Sequence, residues 1–94
     1  METLRFGFIG AGMIAGYSAR DVNSHADARV VAVQDPSQPR RERLAQDHGI
    51  THSFSTAEDL LACEEVDAVY IAVPNKFHAL LAIQALQAGK HVIL

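Results

Sequence analysis

The feature that most constrains this chain is a short apolar segment that runs into a glycine-rich turn near its N-terminus. Residues Leu4–Ile9 predict a strand, and Gly10, Gly12 and Ala15 follow with the G-x-G-x-x-G/A spacing of a dinucleotide-binding loop. There, the first glycine permits a tight turn, the second admits a pyrophosphate to the backbone, and the small third residue brings the helix close to the sheet. The N–H groups at the start of that helix would then face the phosphates. Because glycine-rich turns are common, the rest of the chain has to support this interpretation.

The remaining chain alternates between predicted helices and strands. Apolar, β-branched runs bounded by turn residues predict the strands, and apolar residues at helical spacing predict the helices. The predicted strands are Leu4–Ile9, Arg29–Gln34, Ile50–Phe54, Val66–Val73 and His91–Leu94, and the predicted helices are Met13–Ser24, Ser37–His48, a short one from Ser55 to Ala62, and Lys76–Ala88.

This alternation predicts an α/β fold, a doubly wound parallel sheet of Rossmann type in three αβα layers. We expect one domain over residues 1–94, with strand order 3-2-1-4-5. The order reverses between the first and fourth strands, and ligands of such folds lie across the carboxyl ends of strands at that point. The ligand should therefore touch the glycine turn on one side and residues 72–75 on the other.

Several local patterns predict how the helices start and which faces they bury. Ser55 through Glu58 fits a capping box, and Asn75 is a favourable N-cap for the last helix. In the first helix the stripe that we expect to be buried is Ala15, Ala19 and Val22, and in the last it is Ala79, Ala82, Ile83 and Leu86.

An acidic residue ends the second predicted strand. Asp35 lies twenty residues after Ala15, where a carboxylate accepts hydrogen bonds from the adenosine ribose. The alternative is that Asp35, which precedes Pro36, only caps the next helix. We favour the ribose role because the strand, the loop and the spacing agree.

Composition excludes several classes of protein. The formal net charge of −3 argues against a nucleic-acid binder, and the basic cluster Arg40, Arg41 and Arg43 is interrupted by Glu42, as on a solvated helix face. Cys63 is the only cysteine, so it forms no internal disulfide, fits a cytoplasmic setting and is interpreted as a small buried residue. No apolar run is long enough to cross a membrane, and the N-terminus does not resemble a secretion signal.

A metal site is also not expected. Of the five histidines, His48 and His52 are four residues apart, but Gly49 ends the helix between them, so they do not share a helical face. No cysteine or carboxylate completes a ligand set with them.

With the fourth strand in view, the chain resembles the N-terminal domain of the Gfo/Idh/MocA family of NAD(P)-dependent oxidoreductases, over essentially all 94 residues. The opening G-F-I-G-A-G-M-I is shared by many Rossmann proteins. More specific are V-D-A-V-Y-I-A-V-P-N-K-F-H at 66–78, A-G-K-H-V-I-L at 88–94 and the acid in V-Q-D-P at 33–36.

The resemblance implies a role for each matching position. It places Gly10, Gly12, Met13 and Ile14 at the pyrophosphate and Asp35 at the adenosine ribose. It places Ala72, Val73, Pro74 and Asn75 beside the nicotinamide ribose, and it gives His78 a supporting binding role. The implied cofactor is NAD, with NADP disfavoured because Asp35 would repel a 2′-phosphate; Arg40 and Arg41 could soften that preference.

The resemblance also implies what lies elsewhere in the family. There, the G-K-H-V strand leads into Glu-Lys-Pro, whose lysine binds substrate and handles protons, and a later domain completes the site. The chain reaches Leu94 before these features, and Lys90 belongs to the earlier motif. We therefore expect no catalytic residue here, and a fragment inactive by itself. The parent would exchange hydride between NAD(P) and a hydroxyl-bearing carbon of a sugar, cyclitol or similar molecule. The alternative is a non-catalytic nucleotide-binding or interaction module.

The last predicted strand leads to one further expectation. It would form an edge of the sheet, with apolar Val92, Ile93 and Leu94. Exposed apolar edges pair with other chains, so we expect self-association.

Overall fold

The computed structural model describes residues 3–93, apart from the side chain of Asn75. Within those residues four α-helices alternate with five β-strands. The strands are β1 (Leu4–Ile9), β2 (Ala28–Gln34), β3 (His52–Phe54), β4 (Ala68–Ile71) and β5 (His91–Ile93). The helices are α1 (Met13–Asn23), α2 (Gln38–His48), α3 (Ala57–Leu61) and α4 (His78–Gln87), with a 3₁₀ turn at Asn75–Phe77 before α4. Leu94, the predicted last residue of the fifth strand, lies outside the described residues.

The described strands form one sheet in the order β3-β2-β1-β4-β5, and every neighbouring pair is parallel. Parallel strands need crossover connections, and the helices supply them. The predicted α/β fold class and strand order are both confirmed. The order reverses between β1 and β4, so the loops after these two strands meet at the carboxyl edge of the sheet.

Two apolar cores lie on opposite faces of the sheet. On one face α1 and α2 cover β1 and β2, and Phe8 stacks on Tyr70 with ring centroids 4.9 Å apart. Ala15 and Ala19 are fully buried there, and Val22 packs against them, as predicted. On the other face α3 and α4 cover a second core, which half-buried Cys63 also contacts.

Two strands are shorter than predicted. β3 begins at His52 because Ile50 takes part in the end of α2, where Gly49 adopts a left-handed φ of 66° and the Ile50 N–H donates to the Ala45 carbonyl at 2.9 Å. β4 ends at Ile71, so Ala72 and Val73 belong to the loop that follows it.

The prediction for the start of α3 was wrong by one residue. Thr56, and not Ser55, is the N-cap, and its hydroxyl accepts from the Asp59 N–H at 3.2 Å. Both neighbours can cap a helix and both have an acid three residues later, so the sequence does not distinguish them.

The prediction for α4 was wrong at its start and on its buried face. The 3₁₀ turn delays the helix to His78, so Phe77 and not Asn75 occupies the N-cap position. Ala85 is fully buried and Leu81 and Ala82 pack with it, whereas Ile83 and Leu86 are more than half exposed and Ala79 is exposed. Because residues 79–86 are apolar at every position but Gln84, their periodicity does not define one face.

Candidate functional site

The loops after β1 and β4 lie side by side at the carboxyl edge of the sheet. The Ala72 N–H donates to the Ile9 carbonyl at 2.8 Å, which continues the pairing of β1 with β4 one step beyond the strands. The Gly10 N–H donates to the Gln34 carbonyl at 2.7 Å and thereby ties the same turn to β2. Three strand ends therefore hold the glycine turn in place.

Gly10 is required by the protein itself. Its φ of +102° is one that L-residues rarely adopt, and a Cβ there would lie 2.5 Å from the Ala72 carbonyl oxygen. Both the turn and the approach of the β4 loop therefore need glycine at this position.

Gly12 differs from Gly10 in both respects. It has φ −80° and ψ −170°, which any residue adopts, and a Cβ there would meet no described atom within 4 Å. Gly12 is exposed and is the N-cap of α1, and no side chain among residues 3–93 caps that helix. Neither backbone strain nor packing within the described chain explains why this position lacks a side chain.

Asp35 links the glycine turn to the start of α2. It is 7% exposed; one carboxylate oxygen accepts from the Ala11 N–H at 2.9 Å, and the other accepts from the Ser37 N–H at 2.8 Å. The N-cap of α2 is Ser37, whose hydroxyl accepts from the Arg40 N–H at 3.4 Å. The alternative in which Asp35 is itself the helix cap is therefore wrong. Its bond to Ala11 joins residues 24 apart, and no local sequence pattern could predict it.

The three arginines of α2 are placed differently. Arg41 donates from Nη1 to the Asp35 carbonyl at 3.1 Å, and it is half-buried. Arg40 and Arg43 are exposed and line a cleft of about 460 Å³ that α1 and α2 border, together with Ala11, Gly12 and Met13. The predicted solvated face is thus confirmed for Arg40 and Arg43, and two cations lie beside the N-terminus of α1.

A second cleft, of about 360 Å³, lies on the β4 side of the same helix terminus. The residues that line it are Ile14, Tyr70, Ile71, Ala72, Val73, Pro74 and His78. The ring of His78 contacts the Val73 carbonyl oxygen through Nε2 at 2.6 Å. Tyr70 was not predicted as a site residue; its hydroxyl contacts that of Ser18 on α1 at 3.1 Å. The alternation of side chains along β4 was the signal that could have placed it there.

The predicted positions thus fall into three groups. Gly12, Met13 and Arg40 border the first cleft, and Ile14, Ala72, Val73, Pro74 and His78 border the second. Gly10 and Asp35 lie beneath them and hold the loops. Asn75 begins the 3₁₀ turn, and its side chain lies outside the described part of the structure.

Two further searches concern the described residues alone. No three His, Cys, Asp or Glu side chains among them are arranged to hold a metal ion. No helix in that part of the chain is long and apolar enough to cross a membrane.

A doubly wound parallel sheet with a glycine turn between two clefts at the reversal of strand order defines a class, the nucleotide-binding Rossmann domains. Within that class, the model of the Gfo/Idh/MocA family, described as an oxidoreductase family with an NAD-binding Rossmann fold, matches residues 4–94. The chain belongs to this family, and the resemblance read from its motifs is confirmed.

Individual relatives agree with this assignment. An inositol 2-dehydrogenase of Corynebacterium glutamicum is 37% identical over 93 residues, which cover 98% of this chain and 28% of that protein. A scyllo-inositol 2-dehydrogenase (NADP(+)), IolU, of Bacillus subtilis is 33% identical over 96% of this chain and 27% of its own. The WlbA dehydrogenase of Bordetella pertussis, solved with NADH and UDP-GlcNAcA, superimposes with a TM-score of 0.90 at 32% identity, covering 97% of this chain and 28% of WlbA. The chain thus spans little more than a quarter of the length of these relatives.

Proposed function

We propose that this chain binds NAD(H) across the carboxyl edge of its sheet. We further propose that the protein exchanges hydride between that cofactor and a hydroxyl-bearing carbon of a sugar, cyclitol or similar small molecule. The observation that carries the proposal is Gly12, whose missing side chain leaves open space and has no cause within the described protein. Close approach of a phosphate to the backbone is the remaining reason for glycine there.

In this proposal the pyrophosphate lies against the turn formed by Gly10, Gly12, Met13 and Ile14. The first N–H groups of a helix have no partner within the helix, and the helix dipole favours negative charge beside them. The first turn of α1 contains no acidic residue that would oppose an anion. Gly10 acts indirectly, because it keeps the turn in the conformation that aims these groups outward.

Asp35 would accept hydrogen bonds from the adenosine ribose. Each carboxylate oxygen already accepts one main-chain N–H and keeps further acceptor capacity, because an ionised carboxylate has about four lone-pair sites. The two amides fix the orientation of the carboxylate before any ligand arrives. Its negative charge would repel a 2′-phosphate, so we propose NAD(H) in preference to NADP(H).

Arg40 and Arg43 act against that preference, since both cations border the first cleft. The B. subtilis relative carries NADP(+) in its name and the B. pertussis relative was solved with NADH, so family membership does not decide between the cofactors. We propose that the fixed carboxylate outweighs the two exposed arginines, because exposed cations are screened by water and salt.

The second cleft would take the nicotinamide end. Ala72, Val73 and Pro74 offer it a mainly apolar wall, and the backbone of Asn75 continues that wall. When bound, the nicotinamide ring supplies the hydride acceptor or donor, so these residues only need to bind and orient it. We assign a catalytic role to none of them. The sugar and cyclitol substrate class rests on the names of the relatives, two of which are inositol dehydrogenases.

The first experiment is to titrate NADH into the wild-type protein and into Gly12→Ala and Gly12→Val, by calorimetry and nicotinamide fluorescence. We expect binding to weaken about tenfold for alanine and a hundredfold or more for valine, roughly 1.4 kcal/mol for each factor of ten. Thermal unfolding should stay unchanged, since neither side chain meets the described protein. Ala26→Val, in an exposed turn before β2, is the control for added bulk and should leave binding intact. Equal NADH affinity for all four proteins would contradict the proposal.

The second experiment compares NADH with NADPH. The wild type should bind NADH more tightly, and Asp35→Asn should narrow the gap, since it removes the charge and keeps an acceptor for one of the two amides. Arg40→Ala with Arg43→Ala should widen it. Tighter NADPH binding by the wild type, or a gap that Asp35→Asn leaves unaltered, would overturn the cofactor assignment.

We also propose that the protein self-associates and is cytoplasmic. Ile93 of the edge strand β5 is 43% exposed, and Leu80, Ile83 and Leu86 of α4 are each more than half exposed. A second copy that paired along β5 would extend the sheet and cover apolar surface. Light scattering over a range of concentrations tests this, and a monodisperse monomer at the highest concentration would count against it.

A further inference from the structure

The contact between His78 and the Val73 carbonyl spans the loop that forms the wall of the second cleft. A carbonyl oxygen only accepts, so the Nε2 atom, 2.6 Å away, must carry the proton that it donates. His78 is the first residue of α4, and Val73 follows β4. The imidazole therefore reaches back over five residues and fastens one end of the loop to the other.

The same loop is held on its other side by the glycine turn. The Ala72 N–H donates to Ile9, and the Ala72 carbonyl lies where a Cβ on Gly10 would be. The Phe77 N–H donates to the Pro74 carbonyl at 3.1 Å and closes the 3₁₀ turn. Only the carbonyl of Val73 depends on a side chain. His78 is thus the one adjustable element in an otherwise main-chain arrangement of these contacts.

The start of α4 explains why this side chain is available. Phe77 occupies the N-cap position and makes no side-chain capping bond, so the usual polar cap is absent from the described residues there. His78 is half-buried and lines the second cleft itself. With Nε2 engaged as donor, a neutral ring presents Nδ1 as an acceptor only.

We propose that His78 is a positioning residue for the nicotinamide end of the cofactor, which acts through Val73 by fixing the wall formed by Ala72, Val73 and Pro74. This inference rests on the proposed function, since it assigns the second cleft to that end of NAD(H). It predicts that His78 matters for the nicotinamide half of the ligand and not for the half that the glycine turn and Asp35 hold.

The test compares NADH with ADP, which lacks the nicotinamide and its ribose, in wild type, His78→Ala, His78→Gln and His78→Asn. We expect His78→Ala to weaken NADH binding about tenfold, as for one lost hydrogen bond that organises a binding wall, and to change ADP binding less than about twofold. Glutamine places an amide N–H near the position of Nε2 and should restore NADH binding to within about threefold. Asparagine is too short to do so and should behave like alanine.

A merely structural role would give a different pattern. If His78 only stabilised the fold, NADH and ADP would weaken together, and the loss would follow the melting temperature. That result, unchanged NADH binding in His78→Ala, or rescue by asparagine as good as by glutamine, would overturn the inference. If the wild type bound ADP but not NADH, the proposed function would fail as well.

A measurement on the unaltered protein guards against variants that do not fold. Long-range ¹H–¹⁵N correlation of the imidazole assigns its tautomer directly. We expect a proton on Nε2; a neutral ring protonated on Nδ1 alone could not donate to Val73 and would overturn the inference without any substitution.

Discussion

At the amino end of the sheet Arg5, Asp67 and Lys90 bond one segment to the next, whereas at the carboxyl end the glycine turn leaves the start of α1 without a side-chain cap. Arg5 donates to Asp67 from its main-chain N–H at 2.9 Å and from Nε and Nη2 at 3.1 Å each. Lys90 donates from Nζ to the carbonyls of Cys63 at 2.9 Å and Val66 at 2.6 Å. These bonds tie β1 and the residue before β5 to the segment that precedes β4.

The difference separates two kinds of residue within the same sequence motifs. Asp67 begins the D-A-V stretch that leads to the second cleft, and Lys90 lies in the G-K-H-V stretch, yet both side chains lie at the end of the sheet that has no proposed ligand. Their contacts are with the protein itself. Resemblance in a motif therefore identifies the family, and only geometry assigns each residue to stability or to binding.

The largest effect that would test this comparison is expected at Gly10, a site residue whose contacts are those of a scaffold. Gly10→Ala should lower the free energy of unfolding by about 3 kcal/mol, because alanine is strained at φ +102° and its Cβ would overlap the Ala72 carbonyl. Gly12→Ala adds the same carbon two residues later and should change stability by less than about 0.5 kcal/mol. Urea unfolding measures both. Equal destabilisation would remove the distinction between the two glycines.

The sequence was sufficient for the parts of the fold that local chemistry and chain order determine. The strand order follows from alternation and handedness, and the left-handed cap at Gly49 follows from a glycine after a helix. It failed on α4, where apolar residues on every side left the buried face undetermined, and at Ser55 and Thr56, where two neighbours could cap the helix.

The site was predictable as a set of positions but not as a set of contacts. Spacing alone led to Gly12 and Asp35, because both positions are defined by short-range patterns on known elements. The bonds of Asp35 to Ala11 and of His78 to Val73 depend on where the loops pass each other in the fold. The same holds for Lys90, whose partners lie 24 and 27 residues away.

A middle-sized effect is expected at Lys90. Lys90→Met should destabilise the protein by about 1–2 kcal/mol, since it leaves two carbonyls without their donor, and should leave NADH affinity unchanged. Lys76→Met is the matched control, because the chain has two lysines and the exposed Lys76 contacts only the Phe77 ring, 5.1 Å from its centroid. That contact is worth about 0.5 kcal/mol. Weaker NADH binding in Lys90→Met at full stability would contradict the assignment of the amino end to the scaffold.

The smallest effect concerns acid. Hydrogen bonds from the Arg5 side chain hold the pKa of Asp67 below its ordinary value of 3.8, against a smaller opposing effect of burial. A carboxyl whose pKa is lower in the folded state stabilises the fold above the unfolded value, and that contribution is lost as the pH falls through the folded value.

Wild-type stability should therefore decline below pH 3.8 more steeply than that of Asp67→Asn, whose side chain does not titrate. The difference should be small and should shrink in salt, because the side chains of Arg5 and Asp67 are 42% and 33% exposed. Thermal unfolding from neutral to acid pH measures it, with Asp27→Asn, in an exposed turn at the same end of the sheet, as the control. If Asp27→Asn flattened the profile as much as Asp67→Asn, the paired carboxylate at the amino end would have no special place in the acid response. The contrast between the two ends would then rest on Lys90 and the glycines alone.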